Sequence, residues 1–270
     1  MDDILQYAFL RNALLSACSV ALCASLIGYF LIGRGMTFVA HALPNIGFAG
    51  AMGAVLLGFP PLWGLLAFSS GSALAFSFLG RESRKKDQGI GVVMMLALGL
   101  GSLFLGLYRG SSQKAYGILF GSILGVGESE AWATLVISVI VAVALLLFYR
   151  PLLFSTIDEQ SAAAKGVPVR ALGAVFLLLA AVTVALAVPV TGTLLVFTLL
   201  IGPPATARRL TRRAGTALLL GVALAELDVT VGLFLAAWQG TIPVGFFVTT
   251  LSFVTYIVVR VIQGRFSWKR

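Results

Sequence analysis

Charge is what this sequence has least of. Only 11% of its 270 residues are Asp, Glu, Lys or Arg, against about 25% in a soluble globular domain. That leaves too little polar surface to coat a water-soluble fold. Histidine is scarcer still. His41 is the only one, which all but excludes a His-based metalloenzyme or a Ser-His-Asp triad. No GxxxxGK[ST] phosphate loop occurs anywhere, so any use of ATP requires another chain. Cys18 and Cys23 are the only cysteines, and both lie in one apolar run. At that spacing they are not a metal pair; they read as two small apolar residues and leave the redox compartment open. A secretory leader opens with positive charge, whereas this chain opens with Asp2 and Asp3. The first apolar run is therefore read as a retained span.

What is abundant is apolar length. Hydrophobic residues make up 59% of the chain. Nine apolar segments stand out, at about 12–33, 37–58, 61–80, 88–108, 130–149, 170–190, 193–207, 215–238 and 245–263, most near the roughly 20 residues that cross a bilayer as a helix. The pattern predicts an all-α, polytopic transmembrane bundle of about eight or nine spans, a single membrane domain over 1–270. The seventh segment is short and ends at Pro203-Pro204, which reads as a broken helix. The stretch "YGILFGSILGV" at 116–126 is too short to span and suits a re-entrant or interfacial helix. Gly47, Gly50 and Gly53 recur every third residue, a small-residue face that lets membrane helices approach closely.

The net charge of +9 sorts by side. With the N-terminus outside, 16 of the 19 Lys and Arg fall inside: Arg34, the run from Arg81 to Lys86, Arg150, Lys165, Arg170, "RRLTRR" at 208–213 and the tail from Arg260. Only Arg11, Arg109 and Lys114 fall outside. The positive-inside rule thus predicts an outside N-terminus and a cytoplasmic C-terminus. Because spans interrupt the charges, they are no nucleic-acid patch.

Chemistry has few places to live. Glu226 and Asp228, in "GVALAELDVTVGLF", fall near the middle of the eighth segment, where a carboxylate is costly and a functional candidate by default. They carry a proton, accept hydrogen bonds from neighbouring helices or meet a transported cation. Two residues apart, they point to different faces of a helix. His41 and Asn45, four apart in "FVAHALPNIGFAG", share one face. They read either as contacts for a divalent metal or as polar groups bonding across a helix bent by Pro44. The loop "STIDEQSAAAKGVP" at 155–168 predicts a short helix, capped by Ser155 or Thr156 and ended by Gly166. Asp158 and Glu159 stand in its first turn, where negative charge is favoured. Ala162, Ala163 and Ala164 follow as a smooth surface. Such a helix suits docking to a partner; a plain connector is the alternative.

Four blocks carry a resemblance: "RGMTFVAHALPNIGFAGA", "KKDQGIGVVM", "LFGSILGV", and "DEQSAAAKGVPVRAL" followed by "TGTLLVFTLLIGPPATARRL". In this order and spacing, over residues 10 to 262, the chain resembles the permease subunits of ATP-binding-cassette importers for zinc, manganese or iron. The resemblance implies an inner-membrane permease, paired with a second copy or homologue around a central path. Two cytoplasmic ATPases would hold the ATP, and an extracytoplasmic substrate-binding protein would deliver a divalent metal as cargo. No cofactor bound by this chain and no nucleic-acid partner is implied; membrane lipid surrounds it. Asp158, Glu159, Ala163, Lys165 and Gly166 would belong to the helix that couples to the ATPase. His41 and Asn45, in the second-helix block, become candidates for the path; Glu226 and Asp228 stand outside the family's pattern and join them as membrane carboxylates, with His41 and Asp228 as metal contacts. The family's second helix usually carries Asp and His four apart, where this chain has His41 and Asn45. An acid often precedes a Pro in the last outer loop, where this chain has Thr241 before Pro243. The cargo could thus be a free ion or a metal chelate. A proton-coupled secondary transporter built on Glu226 and Asp228 is the reading from another class.

Overall fold

The chain is described here from a computed structural model that covers residues 8–78, 83–110, 117–119, 121, 125–240 and 242–267, with the side chains of 83–86, 194 and 264–267 left aside. Among these residues every regular element is a helix. They are α1 (Ala8–Gly33), α2 (Thr37–Leu56), α3 (Pro61–Phe78), α4 (Ser83–Leu107), α5 (Glu128–Leu147), α6 (Tyr149–Ile157), α7 (Glu159–Ala164), α8 (Val169–Leu210), α9 (Ala214–Gln239) and α10 (Val244–Ser267). Among the described residues eight stretches are long and apolar enough to cross a bilayer: α1 to α3, 87–107 of α4, α5, 169–193 of α8, α9, and 244–263 of α10.

Lipid favours satisfying backbone groups within their own helix, and several side-chain hydroxyls bond within their own helix too. Ser19, Thr134, Thr183, Thr206 and Thr255 each donate to the carbonyl four residues back. With no water to drive apolar faces together, close approach of small residues holds such a bundle. α1 carries the clearest example. Ala13, Ala17, Ala21, Ala24 and Gly28 form one buried ridge, and α1 packs on α5, α8 and α9. At Gly28 the α1 backbone meets the carbonyl of Leu200 so closely that a Cβ there would lie 1.8 Å from that oxygen. Pro204 explains this contact, because it supplies no N–H to the carbonyl four residues earlier. That carbonyl turns to the backbone of α1 instead, where a Cα–H contact is available.

The glycine face of α2 packs as its spacing suggests. Gly47 lies against Leu65 and Ser69 of α3, and Gly53 against Phe104 of α4. Gly50 and Gly64 are reciprocal: a Cβ on either would fall within 2.2 Å of the other's carbonyl oxygen. Around this centre, α4, α5 and α10 turn large apolar side chains outward, among them Met95, Leu96, Ile140, Val143, Phe253 and Val258. That is the surface lipid requires.

The expected break at Pro203-Pro204 is not where the chain turns. The helix runs through both prolines to Leu210 and breaks at Gly192, at φ 81° and ψ 160°. The two ends of α8 lie beside the same end of α1. Gly173 faces Arg34, and Arg208 Nη1 donates to the Tyr29 carbonyl at 3.1 Å. The halves 169–191 and 193–210 are therefore antiparallel, a helical hairpin closed at Gly192. A left-handed φ with extended ψ is open essentially to glycine alone, so the sixth and seventh apolar segments are two arms of one hairpin. Of the short 116–126 stretch, residues 117–119 form a helical turn seated on its tip, where Thr193 Oγ1 donates to the Leu119 carbonyl at 3.2 Å. Positions 116, 120 and 122–124 lie outside the described residues.

Candidate functional site

Pro44 sits inside α2. The bend loosens the carbonyls before it, and Asn45 Nδ2 donates to the His41 carbonyl at 2.7 Å. The amide oxygen of Asn45 stays available. One turn earlier the His41 ring stands on the outer side of α2, between Phe38 and an edge contact with Phe197 of α8 at 5.3 Å between ring centres. Next to Phe197, Thr198 Oγ1 lies 3.5 Å from Thr249 Oγ1 of α10. Polar groups thus stand along a strip interrupted by the Phe197 ring: His41 and Asn45 on α2, and Thr198 with Thr249 where the second arm of α8 meets α10. His41 and Thr249 are exposed, and Asn45 and Thr198 half-buried. Such groups are costly against lipid, so this face suits a protein surface or a wet path.

The two carboxylates of α9 go separate ways, as residues two apart must. Glu226 is half-buried and lies beside the Cys18 thiol of α1, which is 3.9 Å from Thr230 Oγ1. Asp228 is only 3% exposed. Its carboxyl faces the Ser252 hydroxyl of α10. α2 packs on α3, α4 and α8, whereas α9 packs on α1, α8 and α10. His41 and Asp228, expected together as metal contacts, are consequently not brought together within this chain. No cluster of three or more His, Cys, Asp or Glu exists among the described residues.

The short helix of the 155–168 loop is α7, Glu159–Ala164, but its cap is Asp158 rather than Ser155 or Thr156. α6 runs on through Ile157, so the first residue free to leave helical geometry is Asp158, and its carboxylate accepts from Ser161 N at 3.0 Å and from Ser161 Oγ. Those two bonds hold its carboxyl below the ordinary carboxylate value. Gly166, at φ 84°, reverses the chain, and its N–H and that of Val167 close on the Ala163 and Ala162 carbonyls. Ala162 faces inward; Glu159, Ala163 and Lys165 face out. Lys165 also lies over the Phe154 ring at 5.5 Å. The result is a rigid, outward-presented single turn. Ser155 and Thr156 instead receive hydrogen bonds from Arg34.

Sequence reasoning had no signal for Phe197, Thr198, Thr249 or Ser252. Each is an ordinary residue of an apolar segment, placed beside the candidates only by helix packing. Thr241 lies outside the described residues.

Residues 6–263 match the ABC 3 transport family. The chain is 33% identical over 86% of its length to the manganese transport system membrane protein MntC of Halalkalibacterium halodurans, covering 80% of that protein. It is 29% identical over 96% of its length to the manganese import system permease protein ScaB of Streptococcus parasanguinis, covering 92% of it. Among solved structures it superposes on a chain of PsaBC from Streptococcus pneumoniae in complex with Fab, with a TM-score of 0.84, 26% identity, and 95% and 93% of the two chains covered.

Proposed function

This chain belongs to the ABC 3 transport family as a multi-pass permease of a metal ABC importer, and from that membership we propose that its cargo is a divalent cation, manganese foremost, moved by alternating access. The observation that carries the reading is the polar strip. His41, Asn45, Thr198 and Thr249 offer one imidazole nitrogen and otherwise oxygen donors. Oxygen-rich sets suit Mn²⁺, whereas an amide is a weak ligand for zinc. Relatives named for manganese transport support the same choice. A strip of loose ligands is also what conduction needs, since the ion must leave as well as enter. Glu226 and Asp228 lie behind this face, where Asp228 can act through α10.

The strip lies on an outer face, so a second permease copy or a homologue would close the path from the other side. α7 would sit in a groove of a cytoplasmic ATPase, with Asp158, Glu159, Ala163, Lys165 and Gly166 as the coupling element, and an extracytoplasmic binding protein would load the opposite end. The N-terminus is then outside and the C-terminus cytoplasmic. ATP-driven closure of two ATPases would move α7 and tilt the helices that flank the strip.

The test is uptake into liposomes holding the chain with its cognate ABC ATPase. Mn²⁺ entry should require ATP, and His41→Ala should cut the uptake rate by roughly tenfold, as loss of about 1.4 kcal/mol at the path would. Uptake driven by a proton gradient in vesicles without the ATPase would replace this reading with the secondary transporter.

A further inference from the structure

The turn between α1 and α2 holds a cation that the path does not use. Arg34 is half-buried and held by two hydroxyls of α6. Its Nε donates to Thr156 Oγ1 at 3.2 Å and its Nη2 to Ser155 Oγ at 2.7 Å. Both hydroxyls in turn donate to the Leu152 carbonyl, at 2.6 and 3.0 Å. Both hydroxyl hydrogens are thereby committed to that carbonyl, and both hydroxyl oxygens are set as acceptors toward the guanidinium. The flat side of the group lies over Phe176 of α8 at 5.1 Å. Burial pulls the guanidinium down to about 10, with Glu159 opposing, so it stays charged at neutral pH.

We propose that Arg34 is a positioning residue that carries movement of α7 to the start of α2, and so to His41. The proposal rests on the reading of α7 as the helix that docks the ATPase. Three features support it. First, α7 packs on α6 and α8, and α6 reaches the bundle at α1 and α5; the Arg34 bonds are a polar link from α6 to the turn that begins α2. Second, a cavity of about 1050 Å³ opens on this face, lined among others by Arg34, Asp87, Ser155, Thr156, Glu159 and Arg170. Space beside α6 lets it shift as a unit, whereas a filled core would resist. Third, the lever is short and stiff. α2 starts at Thr37, and His41 lies about 6 Å further along at 1.5 Å per residue. A planar guanidinium bound at two nitrogens fixes direction as well as distance, which a lysine cannot do.

Arg208 shows the contrast. It also closes on α1, through the Tyr29 carbonyl and over the Tyr29 ring at 4.8 Å. Its contacts to Tyr29 join α1 to the end of α8, so it serves as a clamp between those two helices.

The experiment measures ATP hydrolysis and Mn²⁺ uptake side by side in liposomes containing the complex with its ATPase. It compares the unaltered chain with Arg34→Gln, Arg34→Lys and the near-isosteric pair Ser155→Ala with Thr156→Val. ATPase binding and hydrolysis should persist, while Mn²⁺ moved per ATP falls roughly tenfold in Arg34→Gln and in the hydroxyl pair, with Arg34→Lys between. A purely structural role would instead lower hydrolysis, uptake and melting temperature together, and would overturn the proposal. So would uptake per ATP within about twofold of the unaltered chain in the hydroxyl variants, which keep the fold if Arg34→Gln does not. An unaltered complex with no ATP-driven uptake of any tested divalent cation would overturn the parent reading, and this one with it.

Discussion

Replacing Gly28 by Ala puts a methyl group in place of a hydrogen at a very tight point of the bundle. The new Cβ would sit 1.8 Å from the Leu200 carbonyl oxygen, 2.7 Å from its carbon and 2.9 Å from Pro204 Cγ. A carbon–oxygen contact settles at about 3.3 Å, so α1 and the second arm of α8 must separate by about 1.5 Å. Neither partner can yield cheaply, because the nearest atoms are backbone and a proline ring. Overpacking of this kind costs about 3 kcal/mol, the upper end of its usual range. For a chain of this size that lowers the melting temperature by roughly 5 to 10 °C. Thermal unfolding of the purified protein in detergent measures it. Gly71→Ala and Gly99→Ala are the controls: both are helical and meet nothing within 4 Å, so they should be neutral or gain up to about 1 kcal/mol from the better helix former. If Gly28→Ala melts with these controls, the close approach of α1 to α8 is not what holds the centre, and the reasoning fails.

Gly192→Ala forces a side chain into a φ of 81° and should cost about 1–3 kcal/mol, read as a lowered melting temperature and loss of uptake together. Asp158→Ala removes the cap of α7 and should weaken ATPase binding in a pull-down, while Asp158→Asn, which still accepts from Ser161, should retain most of it. Ser161 holds the Asp158 carboxyl below its ordinary 3.8. A lowered pKa means the cap is complete at neutral pH and lost only as pH falls through that lowered value, so this group should leave ATPase binding flat from about pH 8 to pH 5. Asp228→Asn keeps shape and the contact with Ser252, whereas Asp228→Leu removes it. If Asp228 acts in transport, the Asn variant should fold normally and transport at least about tenfold more slowly; wild-type uptake in Asp228→Asn would assign it to packing.

Legibility differed by residue. The short helix α7 could be read, because capping, alanines and a terminal glycine are local signals; only the identity of the cap differs, since nothing in "FSTID" says how far the preceding helix runs. The glycine face of α2 was equally plain. His41 and Asn45 could be placed on one side of a helix by spacing, but the threonines and phenylalanine beside them belong to helices far away in the chain. Arg34 looked like one more inside-facing charge, and only folding showed that it bonds to Ser155 and Thr156.

Composition and run length by themselves determined that this protein is a bundle of membrane helices with its basic loops on one side. Hydration free energy acts residue by residue, so an apolar run declares its solvent wherever it packs. Only the tertiary structure decided that α8 doubles back at Gly192 rather than at its prolines, that His41 and Asp228 stand apart, and that Arg34 ties the turn before α2 to Ser155 and Thr156 of α6. Those outcomes depend on backbone contacts between segments distant in sequence, where a missing N–H or a missing Cβ matters only once another helix lies against it.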